Sequence, residues 1–156
     1  MAFFPYAPRL PEQRSAAGAP GGRVSFRLPA AETAAAEARR RTRRQLSEWR
    51  APAHASENAQ LIISELVTNA LRHTDSETVG CELRITGSLL RVAVDGAGRG
   101  PEARPARAGA EDEGGRGLLL VHALARGWGV RPGTAGGHVV WAELPLAGPS
   151  GGAPGA

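Results

Sequence analysis

Glu65-Leu66-Val67-Thr68-Asn69-Ala70-Leu71-Arg72-His73 sets a carboxylate and a carboxamide four positions apart inside an apolar run. Residues i and i+4 share one face of an α-helix, so Glu65 and Asn69 project together, with Arg72 and His73 one turn further on. The oxygen of an Asn side chain is a suitable hard ligand for Mg²⁺, which takes few protein ligands and completes its shell with water and phosphate oxygens. A Glu one turn away can orient or deprotonate a nucleophile beside those phosphates. The same two residue types on a helix are more commonly solvated, so the reading depends on the rest of the chain.

Two glycine-rich segments follow. Gly96-Ala97-Gly98-Arg99-Gly100 comes after a strand-like run, and Gly114-Gly115-Arg116-Gly117 leads straight into Leu118-Leu119-Leu120-Val121. Glycine lets a backbone amide approach a phosphate that a Cβ would hold off, and a helix beginning at Gly117 adds its free amides and positive dipole end. An acidic/amide helix, a glycine turn after a strand and a second one opening a helix make a phosphate cradle without a Walker sequence. Gly115 and Gly117 also suit a plain tight turn. Arg116 is either a bidentate donor to a terminal phosphate or an exposed charge, and His73 fits a helix-end cap better than a catalytic role.

In order and text these segments resemble the GHKL ATPase superfamily, most of all its small anti-sigma-factor serine/threonine kinases and the stand-alone ATP-binding regulators of actinobacteria. Ser64 to Ala70 stands as the N box, Gly115-Arg116-Gly117-Leu118 with Trp128-Gly129-Val130 as the second segment, and Gly137 to Leu144 as the last strand. The likeness runs from about Arg23 to Leu146. It implies an α+β fold, a Bergerat-type two-layer α/β sandwich with a mixed, mostly antiparallel sheet and helices on one face. It implies ATP and Mg²⁺ as cofactors, with Asn69 on the metal and Glu65 as the base for an incoming Ser or Thr hydroxyl. Asn69, Asp95, Gly96, Gly98, Gly100, Gly115, Arg116, Gly117 and Leu118 would line the nucleotide. The partners it implies are a sigma factor and an anti-sigma-factor antagonist protein, and homodimers are common among such proteins.

The chain departs from the family pattern at two places. ATP-binding relatives carry Asp-x-Gly-x-Gly after the strand, the Asp accepting a hydrogen bond from the adenine amino group. With Gly98 and Gly100 in the glycine positions, the Asp position holds Gly96, and Asp95 stands one residue early. Strand side chains alternate faces, so a shift of one aims Asp95 away from the pocket unless a bulge at Gly96 turns it back. The last strand has Val139 and Val140 where many relatives place a Thr that helps hold the adenine. Two lost polar contacts cost on the order of a few kcal/mol. A kinase and a non-catalytic, partner-binding adaptor of the same fold are therefore both open readings.

Length and composition narrow the remaining classes. A chain of 156 residues fits one domain with a real core. All 19 basic residues are Arg, which points to a coding bias rather than a selected chemistry. The run Arg39 to Arg44 could neutralise phosphates, but no stacking aromatics, helix-turn-helix spacing or zinc ligands accompany it, so a solvated helix face or an acidic protein partner fits better than nucleic acid. Cys81 is the single cysteine, which excludes an intrachain disulfide and fits a reducing cytoplasm. No stretch approaches the roughly 20 apolar residues of a membrane span.

Alternation and propensity give the outline. Residues 1–21 and 147–156 read as Pro-, Ala- and Gly-rich tails around an ATPase domain at 22–146. Strands are predicted at 23–28, 79–86, 89–94, 128–131 and 139–144, and helices at 31–49, 56–72 and 118–125. Leu61, Ile62, Leu66, Val67 and Leu71 form the expected apolar stripe of the second helix. The broken, acidic stretch between Gly96 and Gly114 has the length of a lid or binding loop.

Overall fold

The computed structural model describes residues 22–72, 76–97 and 113–147. Strand β1 (Arg23–Pro29) turns Val24, Phe26 and Leu28 toward the helices and Arg23, Ser25 and Arg27 the other way. Helix α1 (Ala34–Glu48) buries Ala34, Ala38, Thr42 and Leu46, a strict i, i+4 stripe. Its arginines at 39, 40, 41, 43 and 44 are exposed, and Glu37 pairs with both Arg40 and Arg41 along the helix. The basic run is thus a solvated face. Helix α2 (Ala53–Arg72) starts at Ala53, three residues before the Ser56 start expected from sequence. The fixed φ of Pro52 suits a helix entry, and its carbonyl accepts the Ser56 amide at 3.0 Å.

Strands β2 (Thr78–Thr86) and β3 (Leu89–Gly96) form the expected hairpin, turning at Gly87 in the left-handed region (φ 61°). Helix α3 (Glu113–Leu124) then leads to β4 (Gly127–Pro132) and β5 (His138–Pro145). The strand order is β1-β2-β3-β5-β4. All four pairings are antiparallel, so the parallel component expected of a mixed sheet is not found among the described residues. Helices inserted between strands do not fix pairing direction; here α1 and α2 return the chain to an antiparallel partner of β1, while α3 leads to β4, which β5 separates from β3.

The helices cover one face of the sheet. Ile62, Ile63, Leu66, Val67 and Ala70 of α2 meet Cys81, Leu83, Val92, Val94, Val140, Ala142 and Leu144, all in one apolar cluster. Leu61, expected in the stripe, is instead an exposed hydrophobic, and Ile63 takes the inward place. Cys81 is free and fully buried, and that burial pushes its thiol far above the ordinary range, which leaves it unreactive.

The opposite face carries its own polar layer. Ala93, Val139 and Trp141 form a small second cluster there. Trp141 lies over Gly129, whose missing Cβ would sit 3.0 Å from the ring, and Arg91 stacks on the indole at 4.4 Å. Glu82, only 2% exposed, is paired with Arg23 at 2.5 Å. Loss of water raises the Glu82 pKa above the usual carboxylate range despite the arginines around it. A raised folded-state pKa favours the protonated form, so the stability it contributes is present at low pH and is lost as pH rises through that pKa. Glu82→Gln is expected to flatten this slope, read as the change in denaturant midpoint between mildly acidic and neutral pH.

Candidate functional site

Asn69 is the anomaly of α2. It is 4% exposed, and both its Oδ1 and Nδ2 lack a hydrogen-bond partner among the described residues. An unpaired buried amide costs about 1–3 kcal/mol, so the fold alone gives no reason for an Asn here. Glu65, one turn earlier, is half-buried. Ser64 beside it is accounted for, since its hydroxyl donates to the Leu61 carbonyl at 3.0 Å. The pair read from sequence is therefore one unsatisfied amide and one accessible carboxylate on adjacent turns. Among the described residues no cluster of three His, Cys, Asp or Glu side chains could hold a metal. A cation at Asn69 would draw its other ligands from water and phosphate, which is the habit of Mg²⁺.

Helix α3, which contains the second glycine segment, packs against α2. It begins at Glu113, not at Gly117. Within the helix, the amides left free by its geometry therefore belong to Glu113, Gly114 and Gly115, while that of Gly117 falls inside the hydrogen-bonded turns, a correction to the expected anion-facing start. Leu118 is 2% exposed and sits in the main core cluster, where its role is packing. His73, Gly98 and Gly100 lie outside the described residues, as does the side chain of Arg116.

Asp95 does not join Asn69. The ladder runs on without a bulge, pairing Asp95 with Gly80 and Val139 and Gly96 with His138. Strict alternation sends Asp95 to the open face, where the Gly80 amide donates to its Oδ1 at 2.9 Å and Arg27 donates from 3.3 and 3.4 Å. An ideal Cβ on Gly80 would lie 2.6 Å from a carboxylate oxygen of Asp95, so this glycine makes room for it. Arg27 and Asp95 line a cleft of about 180 Å³ at this end of the sheet together with Ser76, Gly96, Thr134 and His138. Asp95→Asn is expected to leave nucleotide affinity unchanged within about twofold and to cost at most about 1 kcal/mol, as for an ion pair open to solvent. Calorimetric titration and denaturant melts of the same sample check both parts.

Gly96 is buried on the helix-facing side. Opposite it stands His138, 1% exposed, which sequence reading passed over. The signal was available: His138 shares the parity of Val140, Ala142 and Leu144, the inward residues of β5. The neighbouring Gly137 admits no side chain, because its Cβ would lie 2.5 Å from the Gly96 carbonyl oxygen. Backbone cannot swing aside as a side chain can. Gly137→Ala is expected to destabilise the fold by about 1–3 kcal/mol, the usual cost of overpacking, measurable by thermal melting.

A family model for the histidine kinase-like ATPase domain matches residues 28–143, most of the described fold. The chain belongs to that family. Within the histidine kinase-like ATPase domain the match takes in α2 with Glu65 and Asn69, both glycine segments and nearly all of β5. A solved structure, the RsbU and RsbW domains of Rv1364c from Mycobacterium tuberculosis, is similar at 22% identity with a TM-score of 0.62. The alignment covers 81% of this chain and 33% of that one. At this identity the likeness is one of fold, and this chain spans about a third of that protein's length. No curated protein matches the chain. Among the described residues no helix is long and apolar enough to cross a membrane.

Proposed function

We propose that the chain is an ATP-binding regulatory protein of the anti-sigma-factor type, a serine/threonine protein kinase that acts on an anti-sigma-factor antagonist and holds a sigma factor. The observation that carries the reading is Asn69, a buried amide with no hydrogen-bond partner among the described residues, in a domain of the histidine kinase-like ATPase family. The likeness of fold to a structure containing an RsbW domain supports the choice of class.

Bound ATP with Mg²⁺ would supply the phosphoryl group and neutralise its charge. Asn69 Oδ1 would be the protein's ligand to the metal, and the Asn69 amide hydrogens would be left for a phosphate or water oxygen. The free amides at the start of α3 favour anionic oxygens by dipole and by hydrogen bonding. Glu65, within one turn of the amide and open to the outside, takes the proton from an incoming Ser or Thr hydroxyl. Its half-buried position leaves room for a protein substrate to approach.

The placement of Asp95 favours a second reading, an adaptor of the same fold that binds its partner without phosphotransfer. A titration with Mg²⁺-ATP followed by phosphotransfer to a purified antagonist separates the two. Binding with transfer supports the kinase; no nucleotide binding, or binding without transfer, supports the adaptor.

A further inference from the structure

We propose that the outer crest of α1 is a docking surface for an acidic helical segment of a partner protein. The inference stands on α1 alone and is independent of the nucleotide reading. The helix turns Ala34, Ala38, Thr42 and Leu46 into the core. At 3.6 residues per turn the opposite face holds Arg40, Arg43, Arg44 and Ser47, with Arg39 beside them one turn before Arg43. These four arginines are exposed. Arg40, Arg43, Arg44, Ser47 and Glu48 enclose a shallow concavity of about 350 Å³ on the crest.

Uncompensated charge sets this crest apart from an ordinary solvated face, which interleaves opposite charges at i, i+3 and i, i+4. Glu37 serves Arg40 and Arg41, whereas Arg39, Arg43 and Arg44 have no ion pair among the described residues. Arg39 repels Arg43 and Arg40 repels Arg44 at i, i+4, so the arrangement weakens α1 in the free chain. The helix dipole does not account for it, since no basic residue stands in the last turn. A coding preference for Arg over Lys does not place five of the 19 in six consecutive positions. Guanidinium groups fork onto carboxylates and phosphates alike, and the bounds of the crest favour carboxylates. Arg39 to Ser47 spans about 12 Å of helix, with Glu37 before it and Glu48 after it. No aromatic side chain stands on this face for a base to stack on. A phosphate backbone running past either end meets a carboxylate. A helix with Glu or Asp at i, i+4 on one face matches the spacing of the arginines and ends where they end.

The test is fluorescence anisotropy of a labelled synthetic peptide, an Ala-rich helix with Glu at i, i+4 along one face, titrated with the full chain. The wild-type chain is expected to bind it. Arg43→Glu/Arg44→Glu is expected to weaken binding by at least about tenfold, the sum of two lost exposed ion pairs and two new repulsions. Arg50→Glu/Arg126→Glu changes the net charge equally at exposed positions off the crest and is expected to weaken it by less than about threefold, because distant charges are screened. Glu at 43 and 44 faces Arg39 and Arg40 one turn earlier, which favours α1; circular dichroism checks the fold. Should the reversal unfold the chain, Arg43→Gln/Arg44→Gln carries the test, with a loss of at least about threefold expected. No binding by the wild type overturns the inference, and so does equal weakening by the two charge-reversed doubles. Tighter binding of a DNA duplex of the same charge than of the peptide also overturns it and gives the crest to nucleic acid.

Discussion

Replacing Asn69 with Leu is expected to abolish Mg²⁺-ATP binding and to make the protein more stable in the same step. Asn69 is buried with both polar side-chain atoms unpaired among the described residues, so the apo fold carries the desolvation cost of an amide with no return from it. A Leu of the same branched shape removes that cost and adds apolar contact with the core that surrounds α2. The expected gain is about 1–3 kcal/mol. The loss of the metal ligand is expected to weaken nucleotide binding by about 100-fold or more, on the scale of a removed charge-assisted contact. Denaturant melts and calorimetry on one preparation give both numbers. A destabilised Asn69→Leu protein would mean that the amide has a structural partner and would remove the main support for the nucleotide site.

Glu65→Gln is expected to lower phosphotransfer by about 10²–10⁴-fold, the range for loss of a general base, while the Mg²⁺-ATP dissociation constant stays within about threefold. Gln keeps the shape of Glu and loses the proton acceptor. Because Glu65 is half-buried and has no ion-pair partner among the described residues, stability should scarcely change. Transfer of labelled phosphate to the antagonist, measured beside binding, separates a chemical role from a positional one. Retained transfer in the variant assigns the base elsewhere; reduced binding makes Glu65 a ligand-holding residue.

Most elements were legible because periodicity and burial agree along them. In β2 and β3 the alternation of inward and outward residues gave the hairpin, and the Glu65 to Asn69 spacing gave the shared helix face. The start of α3 was not legible. Gly114, Gly115 and Gly117 have low helix propensity, yet they lie within the helix, whose later residues Leu118 and Val121 anchor it in the core. Leu61 was misplaced because both Leu61 and Ile63 are apolar, and the phase of the stripe depends on how α2 sits on the sheet. The outward turn of Asp95 could be read from strand alternation alone, whereas its acceptance by Gly80 and Arg27 could not. Those partners lie 15 and 68 positions away, and only the register of the sheet brings them together.

Trp141 has a use apart from packing. Its indole rests on the open face between Gly129 and Arg91, while Trp49 and Trp128 border the helix-side core. The three chromophores are thus divided between the two sides of one sheet. A double variant that keeps only Trp141 turns the protein into an optical gauge of the open face: a molecule seated there displaces Arg91 and shifts the emission, while a nucleotide on the helix side leaves it unaltered. Occupancy of the two sides can then be followed independently in one cuvette, without a label.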